Sequence, residues 1–141
     1  CEKLGVTGVK DALDRMIVCD DIIANYDRHW RNFGLVRNVN TLACRPAPIF
    51  DSVSSLWCNI SLEELRAGGH SFTSAQFHSS PAKQMLLVED MDWFDGDKLE
   101  GFVDEAIEIL SKNDALTARL PYLKEALTWR LKRMIDIAEW S

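Results

Sequence analysis

The sequence contains no apolar run approaching 18 residues, so nothing in it reads as a membrane-spanning helix. It contains no C-x-x-C pair. Its four cysteines, Cys1, Cys19, Cys44 and Cys58, are spread irregularly, which argues against a zinc ribbon or a dithiol redox motif. Its three histidines, His29, His70 and His78, stand in no obvious nucleophile context. No internal repeat or low-complexity segment is present. An excess of positive charge is lacking too: the net charge of −6 disfavours general binding to nucleic acid or to a membrane surface. No signal peptide is visible, although one could already have been removed, and a first residue of Cys1 rather than methionine reads as a fragment or processed form.

What is present suits one folded unit. At 141 residues and 47% hydrophobic, the chain reads as a single helical domain over 1–141 that buries a core without staples. The even cysteine count and the sequon Asn59-Ile60-Ser61 keep a secreted, disulfide-linked form in view. Cys19 falls on an apolar helix face, where a free thiol behaves as a small hydrophobe, and a reduced, intracellular form is the preferred expectation.

The clearest periodicity lies between Asp97 and Ser141. A last helix is predicted from Pro121 to about Trp140, because proline suits the first helical turn. Leu120, Leu123, Leu127, Leu131, Met134 and Ala138, with Ile135 beside them, form one apolar stripe. At about 100° per residue, Trp129, Arg133, Asp136 and Trp140 stack on the opposite side. Either this helix is central and packed on both sides, or the two indoles await a partner. The preceding helix is predicted to begin at an Asp97/Glu100 capping box and to end at Asn113 in a left-handed turn, with Asp114 capping a short segment. Leu99, Phe102, Val103, Ala106, Ile107 and Leu110 make its inner face, and Glu100, Asp104, Glu105 and Glu108 its outer one.

Charge is unevenly spread. Glu89–Glu108 holds nine acids against Lys98, a net −8, whereas Arg119–Arg133 holds five bases against Glu125, a net +4. Neighbouring helices of opposite charge can neutralise each other within one fold.

A long first helix is predicted from Thr7 or Gly8 to about Phe33, with Val9, Ala12, Leu13, Met16, Cys19, Ile23, Tyr26 and Trp30 on its core face and Gly34 as its stop. From Leu35 to Pro48 helical period is lost, leaving a connector with a short extended piece at Thr41–Cys44. Short helices follow at Ile49–Trp57, after a Ser61/Glu64 capping box, and from Ser80-Pro81 to about Met91, where the apolar run Met85–Val88 makes a strand the competing reading.

Four patterns invite chemistry. Asp20-Asp21 with Asp27 resembles the aspartate-rich helices that hold magnesium for diphosphate chemistry, but the third acid is displaced from the usual spacing, and a solvated or salt-bridged helix edge is the expectation. Arg66-Ala67-Gly68-Gly69-His70-Ser71 resembles the flavin-attachment loop of berberine-bridge-type oxidases, a family that needs a far larger α+β scaffold. A glycine-rich turn after a helix suffices for these six residues. Cys44, Cys58, His70 and His78 could supply four zinc ligands, yet they lack the tight pairs of structural sites. In Asp90–Asp97, placing Gly96 at the sixth position of a calcium loop puts Met91, Trp93 and Phe102 at ligand positions, so the run reads as an acidic interhelix loop.

The expectation is therefore an all-α domain, an irregular bundle of five to seven helices, with no catalytic, cofactor or metal site assigned. The leading functional expectation is a protein-interaction module of the adaptor, inhibitor, immunity or pathogen-effector kind. Its partner, another protein or a second copy, would meet Trp129, Arg130, Lys132, Arg133 and Trp140. A small helical enzyme using Asp20, Asp21 or the Asp90–Asp97 loop with a divalent metal, and a secreted disulfide-linked ligand, are the alternatives.

Overall fold

The computed structural model describes residues 5–68, 71–74 and 77–140. Within them the chain forms α1 (Val9–Ile22), a hairpin of β1 (Leu35–Arg37) and β2 (Cys44–Pro46), α2 (Leu62–Arg66), α3 (Pro81–Met85), α4 (Phe102–Ser111) and α5 (Leu120–Glu139). Single 3-10 turns stand at Gly96–Leu99 and Asp114–Leu116. The protein is mostly helical, as expected, but not purely all-α, and its five α-helices sit at the low edge of the predicted number.

The first helix ends at Ile22, eleven residues short of Phe33, for a local reason. Ala24 turns to a left-handed φ of 53°, a conformation that costs a non-glycine residue about 1–2 kcal/mol. Asn25 offsets that cost by folding back on Asp20, its backbone N–H donating to the Asp20 carbonyl at 2.9 Å and its side-chain amide to Oδ1 at 2.9 Å. Trp30, predicted for the core face of a continuous helix, consequently stands 67% exposed.

The predicted connector contains the hairpin. Its antiparallel register sets Leu35 opposite Pro46, Val36 opposite Arg45 and Arg37 opposite Cys44. The Asn38 side chain closes the turn by accepting the N–H groups of Asn40 and Thr41 at 2.9 and 3.0 Å. The helix predicted over Ile49–Trp57 does not form. Leu56 and Trp57 both take positive φ, which lets the Leu56 N–H reach the Ile23 carbonyl at 2.8 Å while the Trp57 side chain is fully buried.

The Ser61/Glu64 capping box is present: the Ser61 N–H donates to Glu64 Oε2 at 2.7 Å, and Ser61 Oγ accepts the Glu64 N–H at 3.2 Å. Helix α3 begins at Pro81 behind Ser80 but ends at Met85, short of Met91, and residues 84–90 form no strand. There the Leu87 carbonyl accepts from the Lys10 ammonium at 2.9 Å. Helix α4 starts at Phe102 rather than Asp97, because Gly101 takes a φ of 80° and resets the chain. Asp95, not Asp97, caps the 3-10 turn before it by accepting the Asp97 N–H at 3.2 Å. Asn113 is extended rather than left-handed, and its side chain, not that of Asp114, caps the next turn.

Helix α5 is the spine. Leu123, Ala126 and Leu127 enter a core with Ala24, Trp57 and Leu65, onto which Val103, Ala106, Ile107 and Leu110 of α4 pack. Farther along, Met134 enters a second core with Val18, Ile22 and Met91, joined by Leu99, Phe102 and Ala138. At its start, Arg119 fastens α5 to the irregular segment by donating to the carbonyls of Trp57 and Ile60 at 2.8 and 3.0 Å.

Candidate functional site

The buried stripe of α5 fixes what its other side presents. With Leu123, Leu127 and Met134 turned inward, Trp129 is left 52% exposed and Trp140 90% exposed. They are three turns apart on one face, about 16 Å at 1.5 Å per residue. Lys132 is exposed beside them and Arg133 is half-buried between them.

The two arginines on this side are held by one carboxylate. Arg133 donates to Asp21 Oδ2 at 2.7 Å, and Arg130 donates to the Asp21 carbonyl at 2.8 Å while lying 3.2 Å from Oδ2. Arg130 is only 4% exposed; its guanidinium lies 4.5 Å from the Phe72 ring centre and 5.7–5.8 Å from those of Trp57 and Trp129. Burial lowers its pKa, and Asp21 works in the opposite direction. Of the five residues singled out in the sequence, Arg130 is the buried one, packed behind Trp129.

Trp129, Arg130 and Arg133 share the wall of a cavity of about 450 Å³ with Gly68, Ser71, Ser80, Pro81 and Ala82. Trp140 lies outside it. The exposed surface thus has a concave part at Trp129 and Arg133 and a projecting part at Trp140.

The chemistry suggested by the other motifs is spoken for by internal bonds. Both Asp20 oxygens accept from Arg28, at 2.7 and 2.8 Å, and Arg28, itself buried, also donates to the Asn32 carbonyl, the Phe50 carbonyl and Ser52 Oγ. Asp20 and Asp21 are thus salt-bridged, as one half of the expectation had it, but buried rather than solvated. In the acidic loop Asp90 accepts the Asp92 N–H at 2.8 Å, and Asp95 pairs with Lys98 at 3.1 Å, which holds its carboxyl below the usual range. Among the described residues no three His, Cys, Asp or Glu side chains converge as a metal site. Gly69 and His70 of the glycine-rich loop lie outside the described residues, as does Cys1. Cys19, Cys44 and Cys58 are free thiols, and burial pushes the Cys19 thiol up from its ordinary pKa.

Sequence reasoning missed a second concavity. A slot of about 380 Å³ opens between the first half of α1 and the hairpin, floored by Ala12, Leu13 and Met16. Trp30, Phe33 and Phe77 form one wall, with ring centres 5.5–6.1 Å apart. No local spacing signalled it: the slot depends on the helix breaking where Asn25 and Arg28 return to Asp20, a partnership that periodicity does not show.

Comparison of the chain with known protein families, with curated proteins and with solved structures finds no match. Among the described residues no helix is long and apolar enough to cross a membrane.

Proposed function

We propose that the chain is a protein-interaction module, of the adaptor, inhibitor, immunity or pathogen-effector kind, that binds a protein partner through Trp129, Arg133 and Trp140 with Lys132 at the flank. One observation carries this reading: two indoles remain largely exposed on the outer side of the helix whose inner side enters both hydrophobic cores. Each indole buries on the order of 200 Å² when covered, and tryptophan and arginine are the residue types that anchor interfaces. Arg133 is already oriented by Asp21, so less side-chain freedom is lost when it meets a partner. The enzyme alternative loses support at Asp20 and Asp21, which are buried and ion-paired with Arg28, Arg130 and Arg133, and in the Asp90–Asp97 loop, where among the described residues no three ligand side chains converge. The disulfide-linked alternative loses support because three of the four cysteines are free thiols.

The test is capture from cells that express the protein, using tagged wild-type chain and the Trp129→Ala/Trp140→Ala variant. A protein recovered in stoichiometric amount with the wild type and absent with a folded variant supports the reading. Identical recovery by both removes this face from consideration.

A further inference from the structure

We infer that the surface built by residues 30–53 docks the acidic stretch Glu89–Glu108 of a second copy of this chain. The inference uses neither Trp129 nor Trp140 and stands apart from the function proposed above.

Its first ground is an unusual concentration of apolar surface. Among the described residues, 13 large hydrophobic side chains are exposed, and eight of them fall between Trp30 and Val53. Val39, at the hairpin tip, is 81% exposed. Scattered exposed hydrophobics need no explanation, but a cluster this dense beside a preformed apolar slot marks an interaction surface.

The second ground is charge. From Arg28 to Phe50 the chain has four arginines and no acid, although the molecule as a whole is negative. Arg28 is spent on Asp20, while Arg31, Arg37 and Arg45 are exposed and enter no ion pair among the described residues. The complement is elsewhere in the same chain. Glu100, Glu105 and Glu108 form an exposed acidic face at α4, also without ion pairs among the described residues, and Ile109 beside them is exposed. The two patches carry opposite charge and apolar side chains, and no ion pair joins them within one molecule. Between molecules they can meet, the carboxylates on the arginine rim and the apolar side chains toward the slot. A flat lipid surface would match the arginines but leave the concave slot unfilled.

Because the two patches differ, the contact is head-to-tail and propagates into rings or open chains rather than stopping at a symmetric pair. Its electrostatic part weakens with salt. Sedimentation velocity on the intact chain tests this, over a concentration series at about 0.05 M and about 0.5 M salt. Species larger than the monomer should grow with concentration and recede at high salt. Arg37→Glu/Arg45→Glu and Glu105→Arg/Glu108→Arg should each remain monomeric. Mixed, they should associate again, because the intact acidic face of one meets the intact basic surface of the other and the two reversed surfaces are themselves of opposite charge. Val39→Asp, at the exposed tip, replaces the arginine variant if that variant does not fold. A wild-type chain that stays monomeric throughout overturns the inference, as does association unchanged by these substitutions. Binding to phosphatidylserine vesicles without self-association overturns it as well, by assigning the arginines to a membrane surface. The Trp129→Ala/Trp140→Ala chain should self-associate like the wild type, so failure here and failure of the proposed function read out separately.

Discussion

Arg28 is the side chain on which the middle of the chain depends. It is buried with Asp20 and ties the end of α1 to Asn32, Phe50 and Ser52 by hydrogen bonds. Arg28→Ala leaves the Asp20 carboxylate buried without its partner and should cost about 3–5 kcal/mol in urea unfolding. Asp20→Asn/Arg28→Met, which removes both charges, should cost clearly less than the single change; a cost under about 1 kcal/mol for Arg28→Ala would show the pair to be dispensable. The thiols offer a second check at this scale. Cys58 is exposed, whereas burial, reinforced by the neighbouring Asp20 charge, raises the pKa of Cys19 and keeps it protonated at neutral pH. In the native protein iodoacetamide should therefore label Cys58 well before Cys19 by peptide mass spectrometry, and equal rates would contradict the buried setting of Cys19. The place of Cys19 on an apolar face was legible in the sequence, whereas the Asp20–Arg28 pair was not. Helical spacing says which face Asp20 occupies, not that an arginine eight residues on will return to it through a broken helix.

Helix α2 shows how a short element can be read and tested. Its capping box was visible because a serine and a glutamate three apart precede an apolar residue, and that chemistry is complete within four residues. The Ser61 N–H and hydroxyl hold the Glu64 carboxyl below its ordinary pKa. A carboxyl depressed in the fold supports it above the unfolded-state value, about 4.3, and that support is lost as pH falls through the folded value. The amides at the start of α2 should therefore lose hydrogen-exchange protection selectively as the pH drops below about 4, while those of α5 keep theirs. Uniform loss across both helices would contradict a local cap. The inner faces of α4 and α5 were legible for a related reason, since ten and 20 residues hold a clear period. What failed depended on distant partners or single backbone angles. Strands of three residues are too short to show alternation, Gly101 moved the start of α4, and the 49–57 segment gave up its helix so that Leu56 could bond Ile23.

At the scale of the molecule, α5 joins two cores with one face and offers two indoles with the other. That the indoles oppose the apolar stripe was readable from a single helix, because about 100° per residue settles which side chains stand opposite it; that they are exposed was not, because a helix packed on both sides has the same pattern. The place of Arg130 was not, since it depends on Asp21 and on Phe72, contributed by other parts of the chain. The aromatic slot was equally hidden, being assembled from α1, the loop at Trp30, the hairpin and Phe77. The exposed indoles serve either association or stability. Calorimetric titration of the captured partner into the wild-type and Trp129→Ala/Trp140→Ala chains, with a melting curve for each, decides between them. The expected result is affinity weakened by several kcal/mol, about a hundredfold or more in Kd, with the melting temperature of the variant nearly unchanged. An unchanged Kd, or a variant that unfolds through the loss of about 3–5 kcal/mol per buried indole, would contradict the account.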